Sequence, residues 1–115
     1  MRNSKFIDLL SQLGPREQRR FREMAWSPYF NKNRKLRKLI AYCLERAPDF
    51  AEETLDKRVA YRFVYGEAAA YNELQINNLL SDALQLAYRM LAYEEWEAQP
   101  EQHQLELSRA LLRRQ

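Results

Sequence analysis

Few side chains in this 115-residue sequence could perform chemistry, and their surroundings argue against it. His103 is the single histidine and Cys43 the single cysteine. His103 lies between Gln102 and Gln104, and nothing in the sequence brings a serine to it. A Ser-His-acid arrangement is therefore not expected, and the imidazole reads as a solvent-facing polar group. Cys43 falls on an apolar stripe with Ile40 and Leu44, the setting of a small buried hydrophobe rather than a nucleophile. One cysteine and one histidine exclude an internal disulfide and a Cys/His metal cluster. Glu94, Glu95, Glu97 and Glu101 can place two carboxylates one helical turn apart. A cation site needs converging oxygens, so a solvated acidic face is the simpler reading. With 2 glycines there is no Gly-rich phosphate cradle. The expectation is a chain that is not an enzyme and takes no cofactor and no metal.

Charge is more informative. The formal net charge of +3 is the balance of two unlike parts. Residues 1–40 carry eleven Lys/Arg against three acids, and residues 41–115 carry eight against thirteen. Arg16, Arg19, Arg20, Lys32, Arg34, Lys35, Arg37 and Lys38 are candidate contacts for an anion or a nucleic acid, should they share a face. Trp26, Tyr29 and Phe30 lie between the basic clusters and are able to stack on bases. Aromatics so placed more often anchor a core, and scattered surface charge is more often solvated.

These residues must be positioned by helices. Phe6, Ile7, Leu9, Leu10 and Leu13 recur at helical spacing after Asn3 or Ser4 as N-cap. Gly14 then stands where a left-handed stop is wanted, and Pro15 suits the first turn of a second helix to Trp26. That helix buries Phe21, Met24 and Ala25, exposes Arg16, Arg19, Arg20 and Glu23, and ends at Ser27-Pro28. A third, capped by Asn31 or Asn33, runs from about Lys32 to Ala47 and buries Leu36, Leu39, Ile40, Cys43 and Leu44. A fourth starts at one of two caps, Asp49 with Glu52 or Thr54. It buries Leu55, Val59 and Phe63 with Ala60 or Tyr61 at the edge of the stripe, turns Arg58 and Arg62 outward, and stops at Gly66.

Asn72 with Gln75 three residues on suggests a capping box, and Tyr71 with Ile76 a hydrophobic staple. The helix they start continues to about Ala98. Leu74, Ile76, Leu79, Leu80, Ala83, Leu84, Ala87, Leu91 and Trp96 cover so much of its circumference that burial on more than one side is expected. Pro100 ends it, and a last helix from about Glu101 carries Leu105, Leu107, Leu111 and Leu112. Arg113-Arg114-Gln115 then reads in two ways: as a true C-terminus with cations at the negative helix end, or as the front part of a longer helical protein. No repeat of 33–45 residues and no low-complexity segment is present.

The fourth and fifth helices, separated by residues 66–72, form a loose helix-turn-helix pattern over 55–90, though the usual turn is shorter. Glu73, Gln75, Asn77 and Asn78 would meet base edges there. Glu73 and Asp82 repel phosphate, so a capped, packed helix is preferred.

Some of these strings are familiar. Phe21, Ser27-Pro28-Tyr29-Phe30-Asn31-Lys32-Asn33, Leu39, Tyr71-Asn72, Asn78-Leu79-Leu80-Ser81-Asp82 and Leu91-Ala92-Tyr93-Glu94-Glu95 occur in this order. Over about residues 4–98 the chain resembles the N-terminal region of an uncharacterised family of helical bacterial proteins. The resemblance implies a helical fold with further helices downstream, and it carries no residue role. Two positions depart from the pattern. Tyr65 stands where proline precedes the glycine, and Glu73, Gln75 and Asn77 stand where basic residues follow Tyr-Asn.

The expectation is therefore a single all-α domain over 1–115, a compact bundle of five or six helices around one long helix at about 73–98. No apolar run approaches a membrane span and no signal-peptide core is present, so a cytoplasmic setting is expected without a membrane partner. The first functional reading is a non-catalytic helical interaction module. Trp96, Leu105 and Leu112 would join a protein partner or a second copy. The second is a nucleic-acid-binding module using the basic residues of 16–38.

Overall fold

The structure, a computed structural model, describes residues 1, 4–51 and 55–115. Six helices follow one another: α1 (Lys5–Gln12), α2 (Pro15–Trp26), α3 (Arg34–Leu44), α4 (Lys57–Tyr65), α5 (Glu73–Glu97) and α6 (Pro100–Leu112). No strand occurs among the described residues. The fold is all-α, and the long helix is the one expected.

Local chemistry explains most helix ends. The Ser4 hydroxyl accepts the Ile7 N–H at 3.2 Å and starts α1. Asn33 caps α3, its side-chain oxygen accepting the N–H groups of Lys35 and Leu36. Asp56 does the same for α4 through Arg58 and Val59. The caps expected from Asn3, from Asp49 with Glu52 and from Thr54 involve residues outside the described ones. Gly66 ends α4 at φ +102, where a side chain would be strained.

Gly14 departs from expectation. Its φ is −74, so it is no left-handed stop; it is the N-cap of α2, and the Glu17 carboxylate accepts its N–H at 3.3 Å. Helix α3 is shorter than the expected span from Lys32 to Ala47, because the Asn33 cap fixes its start and residues 45–49 form turns. At α5, Asn72 accepts the Gln75 N–H at 3.1 Å as expected. The Gln75 side chain does not return to the cap; it accepts the Tyr61 hydroxyl at 2.6 Å and ties α4 to α5.

The core lies between α5 and the four helices before it. Helix α5 packs against α1, α2, α3, α4 and α6, which accounts for its wide apolar surface. Phe6, Leu10, Phe21, Leu39, Ile40, Cys43, Leu55, Ile76 and Met90 are all essentially inaccessible. Phe6 and Phe21 meet edge to face at 6.0 Å.

The α4 stripe is corrected. Ala60, Tyr61 and Val64 are buried, whereas Val59 and Phe63 are exposed. Leu55 is buried, but it precedes the Asp56 cap, so the 55–59–63 spacing does not run along one helix. On α5, Leu74 is exposed, while Leu86 and Met90 join the core.

The bundle of six helices is elongated. The molecule measures 54 × 28 × 18 Å with a radius of gyration of 16.7 Å, against about 13 Å for a compact domain of this length. Helix α6 packs on α5 yet buries none of its own residues.

Candidate functional site

Three surface features remain once the core is accounted for. The first is α6. Leu105, Leu107, Leu111 and Leu112 are all exposed, Leu112 to 64%. At 100° per residue, Leu105 and Leu112 share one face and Leu107 and Leu111 another. The half-buried residues Gln102, His103, Glu106 and Ala110 fall on a third side. Helix α6 thus carries leucines on two faces.

The join between α5 and α6 is aromatic. The His103 ring stacks on Trp96 at 3.9 Å and 19°, and its Nε2 lies 2.8 Å from the Trp96 carbonyl oxygen. His103 is therefore not the solvent-facing residue its glutamine neighbours suggest; it is a half-buried anchor. Trp96 is likewise half-buried. Of the expected interface residues, Leu105 and Leu112 are free on α6 while Trp96 is engaged with His103.

The second feature is a run of rings across the molecule. Tyr29, Phe30, Tyr93 and Trp96 follow at centroid distances of 5.1, 6.1 and 5.8 Å and lead to His103. Beside it, a cleft of about 210 Å³ between α2 and α5 is floored by Met24 and Met90 and walled by Phe30 and Tyr93. The Arg20–Glu94 ion pair, 3.2 Å, lies at this cleft. The Tyr93 hydroxyl donates to Glu97 at 2.8 Å, which holds its pKa above the usual phenol value.

The third feature is the surface of α2, α3 and the loop between them. Of the eight expected basic residues, Arg20 turns to Glu94 on α5. Lys35 lies over the Tyr65 ring at 4.7 Å, toward α4. The Arg37 guanidinium covers Trp26 at 4.2 Å and so joins α3 to α2. Arg16, Arg19, Lys32, Arg34 and Lys38 are exposed. The eight do not form one patch; Arg20 and Lys35 leave it for opposite neighbours. Arg22, overlooked in the sequence, is exposed one turn before Trp26, and the i, i+4 spacing to that ring was its signal.

The aromatics of this surface do not anchor the core as expected. Tyr29 is 84% exposed and Trp26 53%, and only Phe30 packs against the core. The Asn31 side-chain amide fixes the loop between them by donating to the Ala25 carbonyl at 2.9 Å.

Of the four helix-turn-helix residues, two are engaged within the fold. Gln75 is held by Tyr61, and Glu73 lies 3.8 Å from Lys57. Asn77 and Asn78 are exposed beside Ser81 and Asp82. Cys43 is buried, and burial pushes its thiol up to about 12. Among the described residues no three His, Cys, Asp or Glu converge as a metal site, and no helix is long and apolar enough to cross a membrane.

Comparison with protein-family models, curated proteins and solved structures finds no match to this chain.

Proposed function

We propose that this chain is a non-catalytic helical interaction module that docks a protein partner on α6. The observation that carries this reading is the exposure of Leu105, Leu107, Leu111 and Leu112 on a 13-residue helix that has no fully buried residue. Isolated helices of that length are marginal in water and draw their stability from packing. Leucine faces on two sides therefore favour a neighbour that covers them. The Trp96–His103 stack supports the reading, because it presents α6 in a fixed direction before any partner arrives.

The test is photo-crosslinking in cells. A benzophenone-bearing residue replaces Leu105 or Leu112, and a control replaces Arg62, exposed on α4. The α6 positions are expected to give a discrete adduct, with this chain or another, that the control does not. Absence of any adduct specific to α6 would sink the proposal.

A further inference from the structure

We infer that the outer surface of α2 and α3, with the loop between them, is a binding site for single-stranded nucleic acid, independent of the α6 face. Residues 24–44 contain five cations (Lys32, Arg34, Lys35, Arg37 and Lys38) and no Asp or Glu. None of the five makes an ion pair with any described residue. Arg37 and Lys35 lie against rings, an arrangement that leaves their charge uncancelled. Elsewhere, Arg20, Arg46, Lys57 and Arg109 each have a carboxylate partner.

Packing brings the charges to one side. Helices α2 and α3 touch one another and both lie on α5. The residues opposite their buried stripes therefore face away from α5 together. These are Arg19 on α2, and Arg34 and Lys38 on α3, with Trp26 and its covering Arg37 at the seam. Glu23, one turn from Arg19 and Arg20, is the acid on this side of α2. The carboxylates of Glu94, Glu95 and Glu97 belong to α5.

The rings choose the class of polyanion. Tyr29 is largely exposed and meets only the edge of the Phe30 ring, in a loop that Asn31 holds in place. A ring standing out among lysines and arginines suits an unpaired base, which offers a π-face to stack on. Duplex bases are stacked within the helix and offer no such face to Tyr29. The cations neutralise the phosphates that flank the stacked base, giving affinity without sequence preference.

The experiment is fluorescence anisotropy of the full chain with labelled oligothymidylate and oligouridylate, against duplex DNA and polyglutamate as competitors. Binding is expected at low salt. A tenfold rise in salt should weaken it roughly 600-fold if about four phosphates are neutralised on a single strand. Tyr29→Ala and Trp26→Ala should each weaken it about tenfold and leave the salt slope unchanged. Arg34→Ala with Lys38→Ala should flatten that slope. All four side chains are exposed, so helical circular dichroism should not change. No binding at low salt would overturn the inference. So would full affinity in Tyr29→Ala, or polyglutamate competing as well as the oligonucleotides, which would make the surface a dock for acidic proteins.

Discussion

Trp96 and His103, seven residues apart, stack with ring centroids 3.9 Å apart and planes inclined by 19°, and the His103 Nε2 reaches the Trp96 carbonyl oxygen at 2.8 Å. The carbonyl only accepts, so Nε2 carries the proton in this contact. Two contacts by one side chain thus set the direction of α6, a helix with no buried residue to do so.

His103→Ala should release α6 while leaving the bundle intact. The stack and the hydrogen bond contribute about 0.5–1.5 kcal/mol each. Hydrogen exchange should therefore quicken roughly tenfold or more across residues 100–112. Amides of α3 and of the first half of α5 should be unaffected. Unchanged protection in α6 would mean that something other than this contact holds it.

The sequence was most legible where a stop signal and an apolar period agreed. Pro15 and Ser27-Pro28 bracket α2 and its period selects Phe21, Met24 and Ala25, all of them buried. On α4 the two cues conflicted. Leu55, Val59 and Phe63 satisfy the period, but Asp56 caps the helix after Leu55 and burial passes to Ala60, Tyr61 and Val64. A period read without its cap can thus assign the wrong face. The basic surface was half legible for a related reason. Composition shows the cations, but their neighbours come from distant parts of the chain, as Glu94 does for Arg20 and Tyr65 for Lys35. The exposure of Trp26 and Tyr29 was not legible, since an aromatic at a helix end or in a short linker is apolar whichever way it turns.

The leucines of this chain should differ sharply in what they contribute. Leu39 is fully buried on α3, and Leu39→Ala should cost about 2–5 kcal/mol through lost burial and a cavity. Leu105 and Leu112 are as apolar, yet alanine at either should change stability by less than about 0.5 kcal/mol. Urea denaturation of the three variants checks this. A loss at Leu105 comparable to that at Leu39 would mean that α6 is covered in the isolated chain.

Stability should fall as pH rises through the alkaline range, and Cys43 should supply a measurable share. Its folded thiol is held up to about 12 by burial, whereas in the unfolded chain it titrates near its ordinary value of 9.0. Well below pH 9 the thiol is neutral in both states and contributes no pH dependence. Above it the unfolded state loses a proton that the folded state keeps, so unfolding is favoured until the folded thiol ionises near 12. Between roughly pH 8 and 10 this amounts to about 1.4 kcal/mol. Tyr65, Tyr71 and Tyr93 are also raised and act in the same direction, so the informative quantity is the difference between wild type and Cys43→Ala. Urea unfolding at the two pH values should show a smaller alkaline loss in the variant, whatever its absolute stability. Equal losses would show that Cys43 is open to solvent in the folded protein.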